Sequence, residues 1–166
     1  MIAIVAVDEN WGIGKDGKLL LHIPEDLRDN FKVKTLGHTV VYGRKTLTSF
    51  PKEKLLPRRE NIILSRNPSF EKDGALILHA KEELLSYLSE NPEKKIFLCG
   101  GAEIYRHFLS YCEEAYVTKI QRAFSADAFF PNLDTKKNWE LVEESEVTHS
   151  VSGVDFTICH YKKIAD

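Results

Sequence analysis

The sequence predicts an α/β fold in which a mostly parallel central sheet carries helices on both faces and antiparallel strands at its C-terminal edge. Five short, continuously apolar runs occupy the first two thirds of the 166-residue chain, and helical segments lie between them. Such runs are typical of parallel strands that are buried on both faces. The last third contains runs of alternating polarity, which favour antiparallel pairing. We expect residues 1–166 to form one domain, because this length suits a single core.

The predicted strands and helices alternate along the chain, as in a parallel sheet covered by helices. Buried strands are expected at residues 2–7, 39–42, 61–64, 75–78 and 95–99. Helices are expected at about 25–35, 44–50, 80–89 and 102–110. Later strands are expected at 115–120, 139–142 and 154–161, and Ser152-Gly153 before the last of them favours a hairpin. Ligands of such sheets usually bind outside the carboxyl ends of the strands.

The composition excludes several classes of protein. Lys and Arg number 23 against 25 Asp and Glu, so the net charge of −2 is not that of a strongly basic nucleic-acid binder. The widely spaced Cys99, Cys112 and Cys159 favour reduced thiols over a disulfide framework or a zinc site. Asp8 and Glu9 end the first apolar run too early for a secretory signal or a membrane span. We expect a cytoplasmic monomer without nucleic-acid, membrane or metal partners.

Three predicted strand ends carry groups that suit phosphate. Gly43-Arg44-Lys45-Thr46 brings two cations and a hydroxyl to a helix start, where backbone N–H groups are free. Cys99-Gly100-Gly101-Ala102 lets a ligand approach the backbone closely, and Leu64-Ser65-Arg66 adds a hydroxyl and a guanidinium. Each segment alone is also compatible with an ordinary turn and solvated charges. Together they favour one long ligand with several phosphates.

Two further features lie near the N-terminus. The segment Gly12 to Lys18 contains three glycines after the first strand, which favours either a mobile lid over a site or a simple connection. Asp26 lies at a helix start, where an acid also favours the helix dipole. Because Ile23 and Leu27 flank it, Asp26 is also a candidate for a lone carboxylate in an apolar cleft, where it would hold an amidine-like edge through two hydrogen bonds. Neither a Ser/His/Asp pattern nor metal-ligand spacing occurs.

Seven segments occur in an order that is shared with a known family. They are IVAVDENWGIGK (4–15), IPEDL (23–27), VVYGRKT (40–46), NIILSR (61–66), FLCGGAEIY (97–105), YVT (116–118) and DAFFP (127–131). In this order the chain resembles the dihydrofolate reductases over nearly its whole length. The resemblance implies NADPH-dependent reduction of 7,8-dihydrofolate to tetrahydrofolate, with a hydride delivered to C6 of the pterin and a proton to N5.

The resemblance also assigns roles to residues of the substrate site. Asp26 would bind the N3 and 2-amino edge of the pterin, helped by Thr118, and would promote protonation of N5 through a water molecule, with Leu21 at a third catalytic position. Arg59 would pair with the α-carboxylate of the glutamate tail, because its planar fork matches a carboxylate. The residues implied to line the substrate pocket are Ile4, Val5, Asp26, Leu27, Phe31, Phe50, Leu56, Cys99 and Thr118.

A longer set of residues would hold NADPH. The lid over the nicotinamide would consist of Ala6 with Ile13, Gly14, Lys15, Asp16, Gly17, Lys18 and Leu19. The pyrophosphate would lie at Gly43, Arg44, Lys45 and Thr46 and at Cys99, Gly100, Gly101, Ala102, Glu103, Ile104 and Tyr105. The 2′-phosphate would be held by Ser65 and Arg66, after Leu64, together with Arg44. The family's Gly-Gly bond is usually cis, and Gly100-Gly101 would permit this.

Three departures from the family pattern affect the site. Leu20-Leu21 stands where the family usually has Pro-Trp, so Leu21 removes an indole donor that helps to hold a water near the acid. Asp26 and Phe31 are five residues apart instead of the usual four, and we expect a bulge or wide turn near residues 29–30 to restore the direction of Phe31. Cys99 replaces a common Ile or Val, which would expose a thiol near the site.

Two alternatives remain open. One is a reductase of the same fold, the pyrimidine reductase of riboflavin synthesis, which also uses NADPH. Asp26 and Arg59 argue against it, because they suit a pterin edge and a glutamate carboxylate. The other is a non-catalytic nucleotide-binding protein in which Leu21 and the shifted Phe31 have ended turnover.

Overall fold

The computed structural model describes residues 1–164 and has a mixed, nine-stranded sheet at its centre. The strands are β1 (Ile2–Val7), β2 (Gly12–Lys15), β3 (Lys18–Leu19), β4 (Thr39–Gly43), β5 (Glu60–Leu64), β6 (Ala75–Leu78), β7 (Ile96–Leu98), β8 (Glu114–Ile120), β9 (Ala128–Phe129), β10 (Trp139–Glu144), β11 (Thr148–His149) and β12 (Asp155–Lys163). The α-helices are α1 (Pro24–Asp26), α2 (Lys32–Thr35), α3 (Arg44–Leu47), α4 (Lys81–Glu90) and α5 (Ala102–Phe108). A π-helix spans Leu27–Phe31, and short 3₁₀ turns occur at Pro51–Glu53, Leu109–Tyr111 and Leu133–Thr135.

The central sheet has the order β10-β12-β8-β1-β7-β4-β5-β6, with β11 paired to β12. Strands β8, β1, β7, β4, β5 and β6 are parallel to one another, and β12 pairs antiparallel with both β8 and β10. The prediction of a mostly parallel sheet with an antiparallel C-terminal edge is confirmed. The predicted hairpin is also present, because β11 and β12 pair around a turn in which Gly153 has a φ of 83°.

Helices cover both faces of the sheet, as the sequence predicted. Side chains of β1 alternate between two apolar layers: Ile4 packs with Tyr42 and Phe97 on one face, and Val5 packs with Leu98 on the other. The first layer is closed by residues of the 24–35 segment and α3, and the second by α4 and α5. The expectation of burial on both faces is wrong for β6, where Leu76 is 42% exposed, because β6 is the edge strand of the sheet.

The glycine-rich segment is a hairpin rather than a loop. Strands β2 and β3 pair through Gly14 and Leu19, and the turn between them places Asp16 and Gly17 at φ values of 51° and 77°. Two successive positive φ values are typical of the type I′ turn of tight hairpins. Strand β2 also pairs with β9, so the hairpin is held against the segment that follows β8.

The helical segment 24–35 accommodates an extra residue by widening one turn. α1 leads into the π-helix Leu27–Phe31, and α2 continues from Lys32. A π turn holds one residue more than an α turn, so side chains after it regain their direction. Phe31 packs against the layer that contains Ile4 and Tyr42, which confirms the expected wide turn.

Asn61 at the start of β5 connects the strand to the preceding loop. Its Oδ1 accepts hydrogen bonds from the Tyr42 hydroxyl at 2.7 Å and the Leu56 N–H at 3.0 Å. Its Nδ2 donates to the carbonyl oxygens of Leu56 at 2.9 Å and Arg59 at 3.0 Å. All four bonding positions of this buried amide are therefore used, and they fix the backbone that carries Leu56 and Arg59.

We predict that Asn61→Ala lowers the free energy of unfolding by about 2–4 kcal/mol, because it leaves buried polar groups of the loop without partners. Urea unfolding measures this loss. Asn10→Ala is the matched control, since Asn10 is exposed, and its effect should stay within about 0.5 kcal/mol. A loss for Asn61→Ala as small as that of the control would contradict the role of this contact.

Candidate active site

The candidate site lies at the carboxyl ends of the parallel strands. Strands β1, β7, β4 and β5 are neighbours that run in the same direction, so the segments that follow them meet at one edge of the sheet. Thr118 on β8 is in register with Ala6 near this edge. The helical segment 24–35 packs against the same part of the molecule through Phe31 and Asn30.

Asp26 and Thr118 are brought into direct contact, as the resemblance implies. The Thr118 hydroxyl donates a hydrogen bond to Asp26 Oδ1 at 2.6 Å. Both side chains are buried, although 92 residues separate them along the chain. Asn30 Nδ2 donates to the same oxygen at 2.8 Å and to the Thr118 hydroxyl at 3.3 Å. A buried carboxylate is thus held by two protein donors.

Burial raises the pKa of Asp26 above its ordinary value, because the charged form is poorly solvated. Hydrogen bonds from Thr118 and Asn30 and the charge of Lys34 oppose this rise. Burial lowers the pKa of the Lys34 ammonium, and the charges of Asp26 and Glu143 oppose that fall. A carboxyl group with a raised pKa in an apolar cleft is suited to acid–base chemistry.

Most of the predicted substrate pocket is present as one apolar group. Ile4 is buried in it, and the partly buried members are Phe31, Phe50, Leu56 and Cys99. Two of the predicted apolar residues, Val5 and Leu27, are not part of this group. The side chain of Val5 packs on the opposite face of the sheet, and Leu27 is 36% exposed beside Asp26.

Arg59 lies at the end of the pocket that is formed by residues 51–60. Its Nε donates to the Pro57 carbonyl at 3.0 Å, and its Nη1 donates to the Thr35 hydroxyl at 3.1 Å. Burial lowers the pKa of the guanidinium, which remains charged because an arginine pKa is so high. Its planar fork, fixed at two of its N–H groups, is suited to binding a carboxylate.

The predicted phosphate-binding segments follow three neighbouring strands. Gly43 to Thr46 follow β4, Leu64 to Arg66 follow β5, and Cys99 to Ala102 follow β7, with β4 between the other two. The Gly43 N–H donates to the Gly100 carbonyl at 2.9 Å, so two of the segments are bonded to each other. Tyr105 on α5 connects this group to β1, because its hydroxyl donates a hydrogen bond to the Ile4 carbonyl at 2.6 Å.

The Gly100-Gly101 peptide bond is cis, as the resemblance implies. Gly100 has a φ of 121°, a conformation that favours glycine. A Cβ on Gly100 or Gly101 would lie 3.7 or 3.6 Å from the Thr46 hydroxyl, in the space between the two segments. Because both residues are glycines, their backbone and the Thr46 hydroxyl would be accessible to a pyrophosphate.

The third segment exposes its cation to solvent. Arg66 is 87% exposed and pairs with Glu103 at 2.9 Å, and the Ser65 hydroxyl accepts from the Asn67 N–H at 3.2 Å. Arg44 lies over the Phe70 ring at 4.9 Å. A guanidinium and a hydroxyl in this position match a phosphate monoester, and Arg66 must exchange Glu103 for it.

Two aspartates hold the predicted lid, Asp8 at the start of β2 and Asp127 at the turn that contains Asp16. Asp8 Oδ1 accepts from the Gly12 N–H at 2.8 Å, and Asp8 Oδ2 accepts from the Phe124 N–H at 2.8 Å. Asp127 Oδ2 accepts from the Asp16 N–H at 3.1 Å, and the Asp127 N–H donates to the Gly14 carbonyl at 3.0 Å. The residues from Lys15 to Leu19 are exposed, and Ile13 is partly buried.

The departures from the family pattern have clear structural outcomes. Leu21 and Ala6 both pack against the apolar group of Ile23, Ile120 and Phe156. The leucine side chain has no hydrogen-bond donor, so it cannot replace the indole N–H. Cys99 is only partly exposed, and burial raises its pKa, so the thiol stays protonated. The site does not gain a reactive cysteine.

Two residues of the site, Asn30 and Lys34, were not predicted from the sequence. Asn30 is buried against Asp26, and Lys34 Nζ donates to Asn30 Oδ1. Asp26, Asn30 and Lys34 recur at intervals of four, the spacing that places polar side chains on one helix face, and this was the available signal.

Two negative observations apply to residues 1–164. No helix in this range is both long and apolar enough to cross a membrane. In the same range no group of three or more His, Cys, Asp or Glu side chains is arranged to hold a metal ion.

Comparison with known proteins gives consistent matches over nearly the full length. A sequence model of the family described as dihydrofolate reductase matches residues 1–163. The dihydrofolate reductase of Bacillus subtilis (strain 168) is 36% identical over 161 residues, which cover 96% of this chain and 92% of that protein. That of Neisseria gonorrhoeae is 37% identical over 158 residues, which cover 95% and 94%.

A solved structure also matches nearly the whole chain. It is a dihydrofolate reductase from Enterococcus faecalis complexed with NADP(H) and RAB-propyl, 34% identical, with a TM-score of 0.87 over 98% of this chain and 95% of that chain. The TM-score shows that the two chains share one fold. The chain belongs to the dihydrofolate reductase family.

Proposed function

We infer that the chain catalyses the NADPH-dependent reduction of 7,8-dihydrofolate to 5,6,7,8-tetrahydrofolate. The observation that carries this inference is the contact of the buried Asp26 with Thr118, at the sheet edge where the three predicted phosphate-binding segments meet. The family match favours this substrate and gives no support to a pyrimidine reductase of riboflavin synthesis.

Asp26 and Thr118 orient the pterin. The carboxylate of Asp26 accepts hydrogen bonds from the N3 and 2-amino edge, and Thr118 holds the carboxylate in place. The apolar side chains of Ile4, Phe31 and Phe50 exclude water from the ring and strengthen these bonds. Asp26 favours protonation at N5 because its negative charge lies in poorly solvating surroundings.

The other assigned residues bind the ends of the two ligands. Arg59 pairs with the α-carboxylate of the glutamate tail. Gly43 to Thr46 and Gly100 to Tyr105 bind the pyrophosphate, and Ser65, Arg66 and Arg44 bind the 2′-phosphate. The hairpin Ile13–Leu19 and Ala6 cover the nicotinamide. The hydride for C6 of the pterin comes from NADPH when that cofactor is bound.

We also propose that residues 1–166 form one domain that acts as a cytoplasmic monomer and does not bind nucleic acid. The net charge of −2 supports the last point. The three free cysteines, Cys99, Cys112 and Cys159, support a reducing compartment, because disulfides are rare there.

The direct test is the loss of NADPH absorbance when the purified chain is mixed with NADPH and dihydrofolate. NADPH alone is the control, and the pyrimidine substrate of riboflavin synthesis replaces dihydrofolate in a third arm. Loss that depends on dihydrofolate supports the proposed function. Loss only with the pyrimidine, or bound NADPH without loss, overturns it.

We predict that Asp26→Asn lowers turnover by about a hundredfold or more, because it removes the ionisable group at nearly constant shape. NADPH binding, measured by fluorescence titration, should stay near the wild-type value, since Asp26 is not among the phosphate-binding residues. Unchanged turnover in this variant would remove the assigned role of Asp26.

The same substitution should stabilise the fold at neutral pH. The pKa of Asp26 is raised in the folded state, so its ionisation penalises folding once the pH exceeds the unfolded-state value of about 4. The penalty is absent below that pH and complete above the folded-state pKa. The Tm of Asp26→Asn should therefore exceed that of the wild type at neutral pH, and the difference should shrink as the pH falls towards about 4. A difference that grew on acidification would be incompatible with this pKa direction.

We predict that Arg66→Ala weakens NADPH binding by about tenfold or more and changes NADH binding much less, because only NADPH carries the 2′-phosphate. Dissociation constants for both cofactors measure the effect. Arg106→Ala is the matched control, since it removes an exposed arginine of α5 to which no role is assigned. Equal losses for both cofactors would show that Arg66 does not recognise the 2′-phosphate.

A further inference from the structure

Asn30 links the buried carboxylate to a cation at the edge of the site. Its Nδ2 donates to Asp26 Oδ1 at 2.8 Å and to the Thr118 hydroxyl at 3.3 Å, and its Oδ1 accepts from Lys34 Nζ. Asn30 is 2% exposed, so these are the contacts of a side chain shielded from water.

We infer that Asn30, held by Lys34, is a positioning residue that fixes the orientation and charge state of the Asp26 carboxylate for the pterin. The inference rests on the proposed function of Asp26 and adds two residues to it. Neither residue is assigned contact with the substrate, so both act through Asp26.

Lys34 determines which way the Asn30 amide faces. An ammonium group can only donate, so it selects the amide oxygen, and the amide nitrogen is left to face the carboxylate. The reversed amide would place its oxygen against Asp26 Oδ1 and its N–H groups against the ammonium. Lys34 is itself fixed, because its Nζ lies 4.7 Å from the centre of the Tyr116 ring on β8.

The contacts distinguish the two oxygens of Asp26. Thr118 and Asn30 both donate to Oδ1, and within residues 1–164 no protein donor reaches Oδ2. No side-chain oxygen or nitrogen in that range is both fully buried and without a partner, so Oδ2 keeps accessible surface. Asn30 and Thr118 thus use the lone pairs of Oδ1, and Oδ2 is the oxygen left for a ligand.

The charged groups around this chain of contacts come from four elements. Lys34 on α2 is the cation that acts on Asp26. Glu143 on β10 acts on Lys34. The Tyr116 ring on β8 contacts both Lys34 and His160 of β12. The His160 ring stacks on the Tyr116 ring at 4.4 Å, and its Nε2 is hydrogen-bonded to Glu114 Oε1 at 2.7 Å. Loss of the Asn30 amide or the Lys34 charge should therefore disfavour the ionised carboxyl of Asp26.

The test is the titration of Asp26 in the ligand-free protein, followed by the ¹³Cγ resonance of labelled aspartate and assigned with Asp26→Asn. Asn30→Leu removes the amide at similar volume, and Lys34→Met removes the ammonium and keeps the stem. Lys32→Met is the matched control, since Lys32 is an exposed lysine of the same helix. Lys34→Arg retains the charge and the donors.

We expect the titration midpoint of Asp26 to rise in Asn30→Leu and in Lys34→Met, and to stay at the wild-type value in Lys32→Met. Lys34→Arg should restore most of the wild-type behaviour, a result that a merely structural role would not produce. In the dihydrofolate assay, kcat/KM at neutral pH should fall about tenfold in Asn30→Leu, the usual effect of losing a hydrogen bond to a charged group.

An unchanged midpoint in folded Asn30→Leu overturns the inference, as do equal shifts in Lys34→Met and Lys32→Met. If Asn30→Leu does not fold, the comparison of the two lysine variants decides alone. Failure of the proposed function is distinguishable, because the titration uses the ligand-free protein. A wild type without dihydrofolate turnover would refute that function while the titration shifts persisted.

Discussion

The site depends on keeping one carboxylate charged in a place where water hardly reaches it. An ionised carboxyl group that is buried without partners is costly enough to take up a proton instead. Here the start of the helical segment presents Asp26, β8 supplies the Thr118 hydroxyl, and the π turn supplies the Asn30 amide. The raised pKa shows that these donors only partly offset the burial. The carboxyl group therefore remains responsive to its surroundings, which is what a proton-handling group requires.

The second requirement, a place for a ligand with several phosphates, is met by the order of the strands. The three phosphate-binding segments are far apart in sequence, and they become neighbours because β7, β4 and β5 are adjacent and parallel. Glycine at positions 43, 100 and 101 lets the backbones of two segments approach each other, as the bond from the Gly43 N–H to the Gly100 carbonyl shows. The apolar layer beneath them is continuous with the pterin pocket through Ile4 and Phe97. The residues proposed to bind the two ligands thus share one edge of one sheet.

Periodicity was enough to predict the central sheet, because strands buried on both faces are continuously apolar, as in residues 2–7. It failed for β2, β3 and β9, which are short, contain glycine or lie at the surface, and are specified by pairing with one another. Within the site, Asp26 and Thr118 were named together only through the family resemblance, since their contact joins residues 92 positions apart. Asn30 was missed because an asparagine in a helix usually faces solvent, and its burial depends on β8 and on a π turn. The interval from Asp26 to Phe31, five residues instead of the four usual in the family, did predict the wide turn.

The Arg66–Glu103 pair shows that the two ends of the site differ in their exposure to water. Arg66 is 87% exposed, so its attraction to an anion is screened by solvent and by dissolved ions. Asp26 lies behind apolar side chains, where such screening is weak. On the proposed assignment, Arg66 would exchange Glu103 for the 2′-phosphate, whereas Asp26 would select the pterin by hydrogen-bond geometry. The ionic strength of the medium would therefore change the contact proposed for Arg66 and hardly affect the contact proposed for Asp26.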